Sequence, residues 1–243
     1  MSKTSNNWYA SWFDTPYYHI LYKDRDYSEA EIFMNRLVRF LKLPEKAKIM
    51  DLACGKGRHS VSLNKMGYRV TGVDLSENSI NYAKQFENDS LKFEVHNMTQ
   101  IYPAKFDAVF NLFTSFGYFE TEDCNYKTIN AIKNQLEPNG YGVIDFLNVN
   151  YLKNNLVPKD IKTVQGIDFH QKRKIDHGYI YKDISFAHEG ENYKFQERVQ
   201  ALTLKDFKDI FKQVDVNLLH VFGDYHLNDF EENKSSRLIM VFR

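Results

Sequence analysis

The chain has 243 residues, enough for one large domain or for a core domain with an added segment. Its 32 basic and 32 acidic side chains balance, which argues against a protein that follows nucleic-acid phosphates, although a local basic patch is compatible with this balance. The two cysteines, Cys54 and Cys124, lack metal-ligand spacing, so we expect no metal site and a reducing compartment.

The first residues, MSKTSNNWYASWF, lack the apolar segment of roughly 7–15 residues that marks a secretory signal. No apolar run approaches the roughly 20 residues that span a bilayer. We therefore expect a cytoplasmic protein without membrane contact. Its aromatic content of 15% is high, enough to supply both a core and a large ligand pocket.

The N-terminal region, residues 1–45, is predicted to be a helical cap. Residues 8–28 hold too many aromatic rings for a solvated tail and have little periodicity, so we expect them to form a lid. The following stretch EAEIFMNRLVRFL has apolar residues at helical spacing and predicts a helix that packs on a sheet. The apolar positions are Ile32, Phe33, Leu37, Phe40 and Leu41.

Strand and helix patterns alternate from residue 46 to residue 150. Such alternation is typical of a parallel sheet that is covered by helices on both faces. Helices are predicted over 58–66, with Gly67 as the stop, from Ser76 to about Phe86, and over 125–136 before Pro138-Asn139-Gly140. The five predicted strands are KIMDLA, YRVTGVD, LKFEVH, FDAVFNLF and YGVIDFL, at 48–53, 68–74, 91–96, 106–113 and 141–147.

Residues 151–202 break this pattern. They contain β-rich runs separated by turn sequences such as Asp176-His177-Gly178, and we predict an antiparallel β insertion that covers the substrate site. Thr203, with Asp206 three residues later, predicts a capped helix. Two strands, VNLLHVFGDY and SSRLIMVFR, close the chain, so the core domain is predicted over 46–150 and 203–243.

The stretch IMDLACGKGRHS, residues 49–60, is a strand, a small-residue loop and the start of a helix. Ligands of open parallel sheets bind at the carboxyl ends of the strands, beside such a loop. Gly55 and Gly57 allow positive φ and close approach of a ligand. Asp74, 17 residues after Gly57 and at the end of the next strand, can accept hydrogen bonds from both ribose hydroxyls of an adenosine.

Two ligand classes fit these residues, a dinucleotide such as NAD and S-adenosylmethionine. The dinucleotide fingerprint is G-x-G-x-x-G/A, but the loop here reads D-x-A-x-G-x-G, with Ser60 at the third glycine position. The Asp51 carboxylate would also repel a pyrophosphate, whereas it would attract a ligand that carries a sulfonium and an ammonium group.

Taken together, four stretches resemble the class I S-adenosylmethionine-dependent methyltransferases, and specifically a bacterial small-molecule-type branch with GRHS and SFGYF motifs. The stretches are DLACGKGRHSVSLNKMGYRVTGVDLS, HNM, FDAVFNLFTSFGYF and LEPNGYGVIDF. The resemblance covers about residues 46–147 and the closing helix and strand pair. It implies an α/β fold with a doubly wound, Rossmann-like seven-stranded sheet and an antiparallel β insertion after strand 5.

The resemblance also implies roles for residues. Asp51, Gly55 and Gly57 would hold the methionine half of the cofactor, and Asp74 the ribose. Ala53 replaces a frequent glycine, and Asn97-Met98 replaces a frequent acid and hydrophobe beside adenine; both replacements are compatible with binding. The full cofactor set is Asp51, Ala53, Gly55, Gly57, Arg58, Asp74, Leu75, Asn97, Met98, Leu112, Tyr22 and Arg25, in which Arg58 has an equally good interpretation as a solvent-side residue.

The predicted substrate contacts include side chains of the lid. Tyr22 and Arg25 would reach the cofactor carboxylate, and Tyr17 and Tyr18 would face the acceptor. Alternatively, the lid rings only pack on the core and the insertion. The substrate set is Tyr17, Tyr18, Phe116, Tyr118 and Arg198.

No catalytic base is assigned, because methyl transfer is an in-line displacement whose rate can come largely from proximity and orientation. Tyr118, His59 and Asp145 are weak candidates, each of which also has a structural interpretation. The sequence Asn111-Leu112-Phe113-Thr114 lacks the Asn/Asp-Pro-Pro-aromatic motif of some amine methyltransferases, which disfavours exocyclic base amines as acceptors.

The functional prediction is an S-adenosylmethionine-dependent methyltransferase that acts on an unidentified small molecule and releases S-adenosylhomocysteine. The alternatives are a catalytically silent S-adenosylmethionine-binding or interaction module and, less favoured by the loop spacing, a nicotinamide-dependent oxidoreductase. The predicted partner is a small-molecule substrate, with neither nucleic acid nor membrane, and a homodimer is left open.

Overall fold

The computed structural model describes residues 12–23 and 27–243. Its centre is a seven-stranded sheet of order β3-β2-β1-β4-β5-β11-β10. The first five strands are parallel, β11 is antiparallel to β5, and β10 is antiparallel to β11. The strands are β1 (Lys48–Leu52), β2 (Arg69–Asp74), β3 (Leu91–Val95), β4 (Phe106–Asn111), β5 (Leu136–Leu147), β10 (Leu218–Phe222) and β11 (Arg237–Phe242).

Helices cover both faces of this sheet. One face buries Phe116, Ile129 and Phe207 against the sheet, and the other buries Phe33, Leu37 and Leu63. The helices are α1 (Pro16–Leu21), α2 (Tyr27–Phe40), α3 (Arg58–Lys65), α4 (Glu77–Ala83), which a 3₁₀ turn (Lys84–Phe86) follows, α5 (Asp123–Gln135), α6 (Val149–Asn155) and α7 (Leu204–Gln213). Over the described ranges, none of these helices has the length and apolar character needed to cross a membrane.

A second, four-stranded antiparallel sheet follows β5 and α6. Its strands are β6 (Lys159–Val164), β7 (Ile167–Asp176), β8 (Tyr179–His188) and β9 (Glu191–Gln200), paired in chain order. The fold class predicted from the sequence is therefore confirmed, including the insertion. Trp12 and Leu21 of the N-terminal segment pack on this sheet in a third apolar cluster with Phe169, Ile184 and Phe186.

The predicted helix ends agree with the observed caps. The Ser76 hydroxyl accepts a hydrogen bond from the Ser79 N–H, and Thr203 and Asp206 form a reciprocal capping box. Gly67 follows α3 with φ of 95°, a left-handed conformation that glycine adopts without steric cost.

Two details differ from the sequence prediction. In α2, Ile32 and Phe40 are 45% and 38% exposed, because the stripe that faces the sheet is narrower than the apolar pattern and uses Met34 and Val38 instead. Strand β5 begins at Leu136, five residues earlier than predicted, because Leu136 pairs with Phe106 and the ladder then shifts register over the Pro-Asn-Gly segment.

Gly72 lies in the middle of three paired strands, between Asp51 on β1 and Phe93 on β3. A Cβ on Gly72 would lie 2.6 Å from the Phe93 ring and 2.7 Å from the Ser60 hydroxyl. The absence of a side chain at Gly72 therefore leaves space for the Phe93 ring of β3 and for helix α3, which carries Ser60. Helix α3 can approach closely enough for Ser60 to reach Asp51.

We expect Gly72→Ala to lower the free energy of unfolding by about 1–3 kcal/mol, because a methyl group would overpack a buried region. Urea denaturation measures this change. The double variant Gly72→Ala/Phe93→Leu should be more stable than the sum of the single changes predicts, because the smaller side chain makes room for the methyl group. Strictly additive effects would contradict a direct clash with the Phe93 ring.

Candidate functional site

The loop between β1 and α3 has a strained, open backbone. Ala53, Gly55 and Gly57 all have positive φ, at 66°, 55° and 82°. A Cβ on Gly55 would meet no atom within 4 Å, so the space above this residue is open to a ligand. A Cβ on Gly57 would lie 2.6 Å from the Phe93 ring, which explains why glycine is required where the loop turns into the helix.

Asp51 lies at the carboxyl end of β1 and is only 2% exposed. The Ser60 hydroxyl donates to its carboxylate at 2.6 Å. Burial raises the pKa of Asp51 to about 6, and the nearby Asp74 adds to the shift, whereas the hydrogen bond from Ser60 and the charge of Arg58 oppose it. A buried carboxylate of this kind favours a cationic ligand group, because the ligand would restore the compensation that water no longer supplies.

Asp74 connects the two loops at the ends of β1 and β2. Its carboxylate accepts hydrogen bonds from the N–H of Gly55 at 2.8 Å and from the N–H of Ser76 at 2.9 Å. Burial raises the pKa of Asp74. Each carboxylate oxygen can accept more than one hydrogen bond, so both oxygens retain capacity for ligand hydroxyls.

The remaining predicted cofactor residues lie at the ends of the neighbouring strands. Leu75 follows β2 and is 47% exposed, whereas Leu112 follows β4 and is 4% exposed. The Asn97 carbonyl oxygen accepts from the N–H and the hydroxyl of Thr99, at 3.0 and 2.9 Å, which fixes its side chain beyond β3. Met98 packs partly buried against the core. These roles stay predictions.

The loop after β4 is strained at two consecutive residues, Phe113 and Thr114, with φ of 57° and 60°. Asp145 holds this loop by accepting from the Phe113 N–H at 2.8 Å and from Arg237 at 2.7 and 2.8 Å. Arg237 in turn donates to the Thr114 hydroxyl at 2.9 Å. Left-handed non-glycine residues of this kind cost energy and cluster at functional sites.

The surroundings of Asp145 favour its structural interpretation over its candidacy as a base. Its side chain has no exposed surface, and its oxygens accept from Phe113, Arg237 and the Tyr225 hydroxyl. Burial raises its pKa, and the guanidinium of Arg237 opposes that shift. Asp145 is therefore a positioning residue for the loop after β4.

Arg58 and His59 open helix α3 and face the same loop. The Arg58 guanidinium donates to His59 Nε2 at 2.7 and 3.2 Å. The imidazole ring stacks on Phe113 with ring centroids 4.4 Å apart, and the guanidinium carbon lies 5.9 Å from the same ring. Both residues are half-buried, and Arg58 lines the cavity described below. The His59 nitrogen nearest the guanidinium already accepts hydrogen bonds, which weakens the case for His59 as a base.

A cavity of about 390 Å³ lies between this loop and the insertion sheet. The loop after β4 contributes Tyr118 to the lining. The predicted roles of Tyr118, as a substrate contact and as a candidate base, stay predictions. The insertion sheet contributes residues of β7, β8 and β9. The lining residues are Arg58, Phe113, Thr114, Tyr118, Leu147, Leu152, Leu156, Arg173, Ile180, Lys182, Glu197, Val199, Tyr225 and Arg237.

Two predicted substrate contacts point away from this cavity. Phe116 is fully buried and packs against Phe119 and Phe207 in the core. Arg198 lies over the Tyr179 ring at 4.9 Å, on the face of β9 opposite to the one that lines the cavity. Because side chains alternate along a strand, residues 197 and 199 reach the cavity and residue 198 does not. The cavity therefore gives no support to the predicted substrate contacts of Phe116 and Arg198.

The lid tyrosines contact the insertion sheet. Tyr17 packs on Phe186 and its hydroxyl lies 3.1 Å from His188, and Tyr18 packs on Trp12 and Phe13; neither lines the cavity. The cavity therefore gives no support to the expectation that Tyr17 and Tyr18 face the acceptor, which stays a prediction.

Tyr22 also differs from its prediction. Its hydroxyl donates to Glu197 at 2.7 Å and accepts from Lys182 at 2.6 Å, so it contacts the insertion and its predicted contact with a cofactor carboxylate is not supported. Arg25 lies outside the described residues.

Sequence reasoning missed Glu197. Its carboxylate accepts at one oxygen from the Trp12 indole at 2.8 Å and from the Tyr22 hydroxyl at 2.7 Å. A single acid thus ties both ends of the N-terminal segment to β9. The only available signal was its alternation with the apolar Val199 along a strand, which is too weak to identify a contact 185 residues away in sequence.

The N-terminal segment also approaches the loops that follow β1 and β2. Asp14 accepts a hydrogen bond from the Ser76 hydroxyl. Burial lowers the pKa of His19 to about 4, and the positive charge of Lys56 in the glycine loop adds to the shift. No cluster of His, Cys, Asp and Glu that suits a metal occurs within residues 12–23 and 27–243.

Comparisons with known proteins find methyltransferases among the proteins similar to this chain. Residues 49–140 match the family described as "Methyltransferase domain". The putative methyltransferase YqeM of Bacillus subtilis is 36% identical over 107 residues, which are 42% of this chain and 43% of that protein. The dTDP-3-amino-3,4,6-trideoxy-alpha-D-glucopyranose N,N-dimethyltransferase of Streptomyces venezuelae is 28% identical over 123 residues, 51% of this chain and 52% of that protein.

Among solved structures, an S-adenosylmethionine-dependent methyltransferase from Clostridium acetobutylicum aligns with a TM-score of 0.79 at 19% identity, over 93% of this chain and 95% of that one. This likeness shows that the two chains share a fold over nearly their whole length. The aligned segments span about half the length of the curated relatives.

The pKa of Asp51 predicts a pH-dependent stability. Since the pKa rises from 3.8 to about 6 on folding, the native state binds more protons in this window, and the free energy of unfolding falls as pH rises through it, by roughly 3 kcal/mol. Asp51→Asn should lack this loss and gain stability relative to the parent between pH 4 and pH 7. Urea denaturation across this range measures it, with the exposed Asp229→Asn as the control for charge removal. Parallel curves for Asp51→Asn and the parent would contradict the raised pKa.

Proposed function

We propose that the protein is a class I methyltransferase that transfers a methyl group from S-adenosylmethionine to a small-molecule acceptor. The observation that carries this proposal is the pair of carboxylates, the buried Asp51 and the half-buried Asp74, on either side of the open backbone at Gly55.

The residues present fit this cofactor. Asp51 would face the cationic methionine end, where its buried charge is compensated. Asp74 would accept from the ribose hydroxyls while its bonds to Gly55 and Ser76 hold the carboxylate in place. Asn97, Met98 and the exposed Leu75 would border the adenine, and Leu112 would lie near the transferring group. When bound, the cofactor supplies an electrophilic methyl group on its sulfonium.

The same features disfavour the alternatives. A pyrophosphate placed over Gly55 would face the negatively charged carboxylates of Asp51 and Asp74. These carboxylates attract cations and can accept further hydrogen bonds, so they favour a cationic or hydroxyl-bearing ligand there. A silent binding module would have no need of an acceptor cavity beside the cofactor loop. Arg58 and Phe113 border the cavity and follow the ends of β1 and β4, so the cavity adjoins the site proposed for the cofactor.

The residues of the chain would contribute mainly orientation. The loop at Phe113 and Thr114, held by Asp145 and Arg237, forms a rigid wall for the acceptor. Such positioning supplies much of the rate of a displacement reaction. Tyr118 lines this cavity and would contact the acceptor. The curated relative from Streptomyces venezuelae, by its name, acts on an amino sugar nucleotide, which supports a small-molecule acceptor here.

We further propose that the N-terminal segment, residues 12–23, is a lid. It bridges the insertion through Glu197 and the cofactor loops through the bond from Ser76 to Asp14. A ligand that orders the loop after β2 would therefore order the lid as well. Closure of the lid, together with the insertion at 151–202, would exclude water from the reaction.

The choice of cofactor is tested by ligand-induced stabilisation. A ligand present at 100 times its Kd stabilises a protein by about 2.7 kcal/mol, which for a chain of this length corresponds to very roughly 5–10 °C in Tm. S-adenosylhomocysteine should produce such a shift in differential scanning fluorimetry, and NAD should not. A shift with NAD alone would replace the methyltransferase proposal by the oxidoreductase alternative.

The variant Asp74→Ala locates the effect. Loss of charged hydrogen bonds worth about 1.5–3 kcal/mol should weaken S-adenosylhomocysteine binding roughly ten- to hundredfold in calorimetry. Asp107→Ala is the control, because the Asp107 carboxylate accepts from the Lys48 N–H at the opposite end of β1. Equal affinity of Asp74→Ala and the parent would remove Asp74 from the ribose site.

The lid proposal predicts protection from proteolysis. Tryptic cleavage after the exposed Lys23 should slow markedly with saturating S-adenosylhomocysteine, whereas cleavage after the exposed Lys234 should not change. Glu197→Ala should accelerate cleavage at Lys23 because it removes the acceptor for Trp12 and Tyr22, and the exposed Glu191→Ala on the same strand is the matched control. Cleavage at Lys23 that responds neither to ligand nor to Glu197→Ala would contradict a lid.

A further inference from the structure

Asn111 is the last residue of β4, and its side chain has no exposed surface. The hydrogen-bonded pairing of β1 with β4 ends one residue earlier, at Asp51 and Phe110. Beyond this pair, the Asn111 Nδ2 group donates to the Leu52 carbonyl oxygen at 2.9 Å. A side chain therefore fastens the last residue of β1 to β4 at the point where the backbone ladder stops.

The two residues joined by this bond stand directly before the two strained loops of the site. Leu52 precedes Ala53, where the glycine loop begins with φ of 66°. Asn111 lies two residues before Phe113, where the loop after β4 turns with φ of 57°. The glycine loop holds the open space at Gly55 that is proposed for the cofactor, and the second loop forms a wall of the cavity. The hydrogen bond thus links the bases of the two loops.

The amide of Asn111 is only half used. Within the part of the chain that the structure describes, its Oδ1 atom has no hydrogen-bond partner. A buried oxygen without a donor lowers stability, and such exceptions to complete hydrogen bonding are expected mainly at functional sites. The donor half is the part that the site uses, because it holds the Leu52 carbonyl directly before the left-handed turn of the glycine loop.

Resting on the proposed methyltransferase activity, we propose that Asn111 is a positioning residue that couples the glycine loop to the cavity wall at Phe113 and Thr114. Ligand binding at the glycine loop restrains Leu52 and Ala53, and the Asn111 amide passes this restraint to the wall. The wall is then fully ordered only when the cofactor is bound, which favours binding of the cofactor before the acceptor. Because coupling between two sites is reciprocal, an acceptor in the cavity would also tighten cofactor binding.

The first experiment measures hydrogen exchange of backbone amides by NMR, with and without saturating S-adenosylhomocysteine. The reporters are the N–H groups of Cys54 and Gly57 in the glycine loop and of Thr114 in the wall, each of which donates to a backbone carbonyl and so reports local opening. In the parent protein, the ligand should slow exchange at all three groups by about fivefold or more. In Asn111→Leu, saturating ligand should still slow exchange at Cys54 and Gly57, whereas its effect at Thr114 should be lost.

The matched control is Gln135→Met, which also replaces a buried amide by an apolar side chain of similar size. The Gln135 Nε2 group donates to one backbone carbonyl, and among the described residues its Oε1 atom has no partner, so this amide is half used as well. Gln135 precedes Leu136, which pairs with Phe106 at the opposite end of β4. A merely structural loss would lower stability in both variants, whereas loss of the Thr114 response is expected for Asn111→Leu alone.

A second experiment needs no ligand. Gly55→Ala strains the glycine loop, because φ of 55° disfavours a side chain there. Through Asn111, this change should accelerate exchange at Thr114 about fivefold or more in the otherwise unchanged protein, and it should have no effect at Thr114 in the Asn111→Leu background. Asn111→Ala takes the place of Asn111→Leu if the larger side chain prevents folding.

The two experiments distinguish failure of the coupling from failure of the methyltransferase proposal. The coupling would be overturned by Thr114 exchange that does not respond to Gly55→Ala, or that responds equally in the Asn111→Leu background. An undiminished effect of the ligand at Thr114 in Asn111→Leu would overturn it as well. A parent protein that does not bind S-adenosylhomocysteine would contradict the methyltransferase proposal, and the ligand-free experiment would still decide whether Asn111 couples the two loops.

Discussion

The site depends on two acidic side chains at the ends of adjacent parallel strands, the buried Asp51 and the half-buried Asp74. Each would be unstable there without dedicated donors, so the Ser60 hydroxyl serves one carboxylate and the N–H groups of Gly55 and Ser76 serve the other. The donors can reach only because Gly72 and Gly57 leave room for the Phe93 ring and helix α3. The glycine loop is thus shaped by carboxylates as much as it is shaped for a ligand.

The opposite wall of the site uses a buried ion pair for a similar purpose. Arg237 comes from the antiparallel strand β11, and Asp145 from β5, so their pairing connects the far half of the sheet to the loop after β4. Removing one partner of a buried pair leaves an uncompensated charge, which makes such pairs costly to break. These interactions hold Phe113 and Thr114 in their left-handed conformations, and both residues line the cavity.

The insertion and the N-terminal segment complete the site from outside the core. Strands β8 and β9 present alternate residues to the cavity, and Glu197 uses the same face to hold Trp12 and Tyr22. In the proposed function, the insertion would largely determine the acceptor chemistry, whereas the loops proposed to bind the cofactor belong to the sheet. This division allows one fold to serve different acceptors, because the insertion can change without disturbing the strands that hold Asp51 and Asp74.

Local patterns in the sequence were enough to predict the sheet, the insertion and the capped helices, because strand alternation, glycine turns and capping residues act over a few residues. The positions of Asp51, Gly55 and Asp74 at the strand ends followed from the same patterns. Only the tertiary structure decided which side chains meet across long separations. It placed Asp145 beneath a loop rather than in the cavity, turned Arg198 and Phe116 away from it, and brought Glu197 to Trp12, because such contacts depend on strand register and packing that no local pattern encodes.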